Sequence, residues 1–205
     1  MMLPVLFLLR AAARGAWRRQ ALCAVAALLW CGLPASAADR VTIERVALSA
    51  ELDPDPGIFL NAQFDFELPA ALADAVTHGV AVYFVVEFEL WRHRWYWFDH
   101  MLADESLNYR LSYSPLTRQY RLARGALAQP FDTLDEALAT VRRVGSWKVL
   151  DLGVLQPGVP YAARVRLRLD TALLPKPFQV DALTNRDWSL ASVWHPVEVG
   201  PDLAR

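Results

Sequence analysis

From Leu60 to Leu68 the chain alternates without a break: Leu60, Ala62, Phe64, Phe66 and Leu68 share one parity, and Asn61, Gln63, Asp65 and Glu67 the other. Successive side chains of an extended strand point to opposite faces, so this run commits the chain to a sheet with one face buried and one wet. A second inward face is read at Val80, Val82, Phe84, Val86, Phe88 and Leu90, with Glu87 and Glu89 on the other side.

The rest of the chain repeats that theme in shorter pieces. Val41 to Leu52 reads as a first strand in which Val41 and Ile43, then Val46 and Leu48, face inward. The change of parity predicts a bulge. Asp53-Pro54-Asp55-Pro56-Gly57 must turn, because two prolines and a glycine do not continue a ladder. Pro69 to His78 carries Leu72, Ala75 and Val76 at helical spacing and is closed by Gly79. The aromatic continuation Trp91 to Phe98 would make the preceding strand too long, so a break is expected near Arg92 to Arg94. Leu107 to Tyr113 and Arg118 to Leu122 read as a hairpin across Ser114-Pro115-Leu116-Thr117. Asp132 or Thr133 can cap a helix running through Val144, with Leu134, Leu138 and Val141 on one face. Trp147 to Leu155, Tyr161 to Leu169, Phe178 to Leu183 and Leu190 to Val199 are further strand candidates. Many short strands, two short helices and no strand-helix alternation predict a mainly β (α+β) fold, an antiparallel β-sandwich.

The N-terminus has a different chemistry. Arg10, Arg14, Arg18 and Arg19 precede an uncharged run, Ala21 to Leu33, and then Pro34-Ala35-Ser36-Ala37-Ala38. A basic start, a short apolar stretch and small residues before a cut are the layout of a secretory signal. Residues 1–37 are therefore expected to be a signal peptide cleaved after Ala37, with residues 38–205 a single periplasmic domain. The alternative is an uncleaved anchor in the inner membrane. Gln20, Gly32, Pro34 and Ser36 leave the apolar part short for a span of about 20 residues.

Both cysteines, Cys23 and Cys31, lie in the removed segment, so the domain is expected to rely on packing without disulfides. Loss of four of the 21 basic residues leaves 17 against 22 acidic ones, a balance of −5. Nucleic acid is a poor partner for such a surface, because phosphates call for basic stripes.

Motifs that would carry catalysis are missing: Gly-x-Ser-x-Gly, the phosphate-binding glycine loops and His-Glu-x-x-His do not occur. No cofactor is expected. His78, His93, His100 and His195 could ligate a metal in principle, but His93 and His100 fall on opposite faces of a regular strand, so they are read as ordinary surface histidines. Glu87 and Glu89 share a face and are the one carboxylate pair a glycosidase could use; a solvated strand face is the simpler reading. The densest chemistry is Trp91-Arg92-His93-Arg94-Trp95-Tyr96-Trp97. Indoles and guanidiniums are the side chains that most often anchor interfaces, so Trp91, Arg92, Arg94, Trp95 and Trp97 are the binding candidates. An exposed cluster of that size invites aggregation unless a partner covers it, which favours placing the rings in the core.

Several phrases together resemble a known family: Phe88-Glu89-Leu90 leading to Arg94-Trp95-Tyr96-Trp97, Leu111-Ser112-Tyr113 with Arg118-Gln119-Tyr120, Arg166-Leu167-Arg168-Leu169-Asp170, Leu174-Pro175-Lys176-Pro177-Phe178, and Asp187-Trp188. The chain resembles the DUF4390 family of proteobacterial exported proteins, also labelled proline-rich signal peptide proteins. The resemblance brings no activity, cofactor or catalytic residue to carry over. Members are often encoded beside a membrane sensor kinase and its response regulator, which implies a role near an envelope sensor. The expectation is a non-catalytic interaction module with an envelope or inner-membrane partner, touching the membrane itself only if the N-terminal segment is retained. An envelope hydrolase built on Glu87 and Glu89, or a carrier of a small apolar ligand between the sheets, are the alternatives.

Overall fold

The computed structural model describes residues 41–93 and 99–204. The expected signal segment, residues 1–37, lies outside them. Two antiparallel sheets face one another. The smaller contains β1 (Val41–Glu51), β2 (Gly57–Phe66) and β7 (Arg143–Leu150) in the order β1-β2-β7. The larger contains β3 (Val82–Arg92), β4 (His100–Ser114), β5 (Gln119–Arg124), β6 (Leu127–Phe131), β8 (Tyr161–Leu169) and β9 (His195–Val197) in the order β6-β5-β4-β3-β8-β9.

The alternating runs build the interior. Leu60, Ala62, Phe64 and Phe66 of β2 are buried, as are Val82, Phe84, Val86, Phe88 and Leu90 of β3, each 0% exposed. Withdrawing one such side chain from water contributes roughly 1.5–3 kcal/mol. β3 therefore anchors the larger sheet, paired on one side with β4 and on the other with β8. The Phe66 and Phe84 rings, one from each sheet, meet with centroids 5.8 Å apart. The predicted bulge in β1 falls between Ile43 and Arg45, and it turns Val46 and Leu48 back toward the core.

Three α-helices punctuate the strands. α1 (Ala70–Thr77) buries Leu72, Ala75 and Val76 and is followed by Gly79 at φ 88°, a conformation that favours glycine. α2 (Leu134–Arg142) is capped by Thr133, whose side chain accepts a hydrogen bond from the Glu136 N–H at 3.3 Å. Arg142 at its other end donates from Nε and Nη2 to the Phe66 carbonyl at 3.0 and 2.7 Å, tying the helix to β2.

The third helix corrects the sequence reading. Phe178 to Leu183, expected as a strand, lies within α3 (Lys176–Thr184). Pro177 suits a first helical turn, and Phe178 and Ala182, four apart, are the partly buried positions. Leu190 to Val199 shrinks to the three-residue β9 and one isolated bridge, Arg168 to Ala191. β7 begins four residues earlier than expected and ends at Leu150, β4 starts at His100, and β6 was not anticipated. Among the described residues no helix is long and apolar enough to cross a membrane.

Candidate functional site

With the even-numbered residues of β3 inward, Glu87, Glu89 and Trp91 are left on the outer face of the larger sheet. On β8 the inward set is Ala163, Val165, Leu167 and Leu169, which leaves Arg164, Arg166 and Arg168 on that same outer face. The antiparallel register then sets Glu87 opposite Arg166 and Glu89 opposite Arg164. Opposite charges directly across a strand pair support the pairing.

The contacts follow from that placement. Arg164 donates from Nε and Nη2 to Glu89 Oε2, each at 2.6 Å. Glu87 receives Arg166 on Oε2 and Arg168 on Oε1, the latter at 2.8 Å. Arg168 also approaches Asp170 at 3.6 Å. Burial pushes the Glu87 carboxyl up, but hydrogen bonds and charge from Arg166 and Arg168 together outweigh it and hold the group below its ordinary value of 4.5. A carboxylate held in this way stays ionised at neutral pH, the opposite of what a general acid requires.

Two indoles complete the arrangement. The Arg164 guanidinium lies 4.4 Å from the Trp91 ring centroid and 4.3 Å from that of Trp194, and Arg166 lies 4.3 Å from Trp194. Ring and guanidinium thus alternate as Trp91, Arg164, Trp194, Arg166, each contact attractive through the ring quadrupole. Trp194 reaches this position because the loop before it is sewn to β8. The Ser192 hydroxyl accepts from the Leu167 N–H at 3.1 Å, the Ser192 N–H donates to the Leu167 carbonyl at 2.9 Å, and the Leu169 N–H donates to the Leu190 carbonyl at 2.7 Å. Beside the ladder, Trp91, Asp99, Ala162, Arg164, Trp194 and Pro196 border an open groove.

Of the five binding candidates, Trp91 and Arg92 close β3 and are half-buried; Arg94, Trp95 and Trp97 lie outside the described residues. Trp91 faces outward against Arg164 and is not part of the core. The histidines stand apart: His93 Nδ1 is 2.9 Å from Asp99 Oδ1, His78 Nδ1 is 3.4 Å from Asp74 Oδ1, His100 is exposed, and His195 belongs to β9. Among the described residues no three His, Cys, Asp or Glu side chains gather as a metal-ligand set.

Sequence reasoning missed Arg164, Arg166, Arg168 and Trp194. The arginine triplet was there to be found, since a basic residue at every second position of β8 answers the Glu-x-Glu of β3. Trp194 carries no such signal, because it is brought over the sheet by its neighbours: the Leu190 and Ser192 bonds to β8 on one side and the pairing of His195 with Val165 on the other.

Comparison with curated proteins and with solved structures finds no match. The family model of the domain of unknown function DUF4390 matches residues 38–198, most of the chain. The chain therefore belongs to the DUF4390 family.

Proposed function

We propose that this domain is a non-catalytic interaction module outside the inner membrane, accessory to a membrane sensor, and that it meets its partner at the end of β3. The observation that carries this reading is the ladder of Trp91, Arg164, Trp194 and Arg166 on an outward sheet face. Rings and guanidiniums held by one another have less rotamer freedom left to lose on binding, and these are the residue types that dominate interface energetics. Trp91 belongs to the ladder and Arg92 is its neighbour in β3, so the candidate contact and the ladder form one patch. Glu87 and Glu89 are engaged by arginines, which removes the observation behind the hydrolase alternative. The carrier alternative needs room between the sheets, where Phe64, Phe66, Phe84 and Phe88 are at most 3% exposed.

The test begins with the N-terminus and fractionation of the native protein, where a start at Ala38 in the soluble periplasm is expected. Crosslinking mass spectrometry on intact cells follows, comparing wild type with Trp91→Ala and Arg92→Ala. A partner recovered with wild type and lost with both variants is the expected result. Retention of residues 1–37 in the membrane, or a partner indifferent to both substitutions, would count against the reading.

A further inference from the structure

Two sheets give four edge strands, and three of the edges are blunted. β6 carries Pro130, which has no N–H to offer; β9 is three residues long and contains Pro196; β7 contains Gly145 and Ser146, the latter at φ 45°, and its register with β2 is interrupted twice. These are the usual devices that stop a sheet from adding strands. β1 is different. It runs for eleven residues, Val41–Glu51, without proline or glycine, and from Arg45 to Glu51 its register with β2 is unbroken. Among the described residues no backbone group pairs with its outer edge.

The β1 edge also borders a groove of about 780 Å³, closed on the far side by β9 and the turn Pro201–Leu203. Its β1 wall offers the half-buried Ile43, Val46 and Leu48. Its rim carries the exposed acids Glu44, Glu198 and Asp202 against one arginine, Arg45, so that acids outnumber arginines three to one. Glu44 is steadied by Gln63, which donates to it at 2.5 Å.

We infer that β1 is a strand-accepting edge whose occupant is an extended basic segment of a partner protein. Main-chain bonds to β1 supply affinity, alternate apolar side chains cover Ile43, Val46 and Leu48, and the intervening lysines or arginines meet Glu44, Glu198 and Asp202. The single bulge at Ile43 to Arg45 sets where pairing can begin. This contact is separate from the Trp91 patch and does not depend on it.

The probe is a short capped peptide of alternating lysine and valine, added to the purified full-length protein, with a glutamate–valine peptide as the control. Hydrogen exchange at the amides of residues 45–51 should slow by about tenfold near saturation, with affinity in the weak range of short peptides. The double variant Glu198→Lys with Asp202→Lys, at exposed positions, should keep the wild-type circular dichroism spectrum and weaken binding by about tenfold. Trp91→Ala should bind as wild type. Equal binding of the glutamate–valine peptide, protection at β6 in place of β1, or unchanged exchange at β1 would overturn the inference. So would β1 protection that appears without peptide as protein concentration rises, with a dimer in sedimentation, because the edge would then belong to a second copy.

Discussion

Replacing Glu87 with glutamine keeps the shape of the side chain and removes the charge on which Arg166 and Arg168 converge. Breaking a fully buried ion pair costs about 3–5 kcal/mol, whereas a fully exposed pair is worth about 0.2–1 kcal/mol. The Glu87 side chain is 16% exposed and its two arginines are 34% and 32% exposed, so water screens the cluster from one side. The cost should therefore fall between those limits, at about 1–2 kcal/mol near pH 7. For a protein of this size that is a loss of about 3–6 °C in melting temperature. The pH dependence has a definite sign. The folded state holds Glu87 below its ordinary 4.5, so its contribution is present above that pH and is lost as pH falls through the folded value. Urea denaturation of wild type and Glu87→Gln from pH 7 to pH 3 should show two curves that are separated at neutral pH and converge below about 4.5. A gap that persists unchanged to pH 3 would refute the argument, because the loss would then come from packing and not from charge.

Phe88→Ala, at a fully buried position of the central strand, should cost about 3–5 kcal/mol in the same urea assay. Thr133→Ala removes the cap of α2 and should cost about 0.5–2 kcal/mol, with Thr133→Ser restoring most of it. Arg164→Lys keeps a cation beside Glu89 but loses the flat group between Trp91 and Trp194; a loss of about 1 kcal/mol and an altered near-ultraviolet circular dichroism band are expected, and an unchanged band would mean the rings do not depend on the guanidinium.

Where a long strand has one buried and one wet face, the sequence announced it: β2 and β3 read directly from their parity, β8 was placed as a strand without its faces being assigned, and the β1 bulge was visible as a shift in parity. The failures have local causes. In α3 the alternation of Phe178, Val180 and Ala182 mimics a strand, yet Val180 is 62% exposed and the real spacing is the four-residue step from Phe178 to Ala182. β6 hides because Pro130 argues against a strand, a rule that an edge position relaxes. At the site, Trp91 and Arg92 were singled out for their composition, whereas the arginine that holds Trp91, Arg164, comes from a strand far later in the chain. Composition along one segment does not reveal which distant strand will lie beside it.

The strand order also dictates a timetable. β2 waits for β7, pairing Ile58 with Leu150, and β3 waits for β8, pairing Phe84 with Leu169. A folding chain can close its early hairpins by themselves, but the most apolar strand keeps one flank open until β8 has joined it. Long-range pairing of this kind is slow, since loop closure must come before the contacts that reward it. An incompletely folded chain of this protein therefore exposes β3 on one side until β8 docks, and it is in that interval, more than after folding, that a holding chaperone would be of use to it.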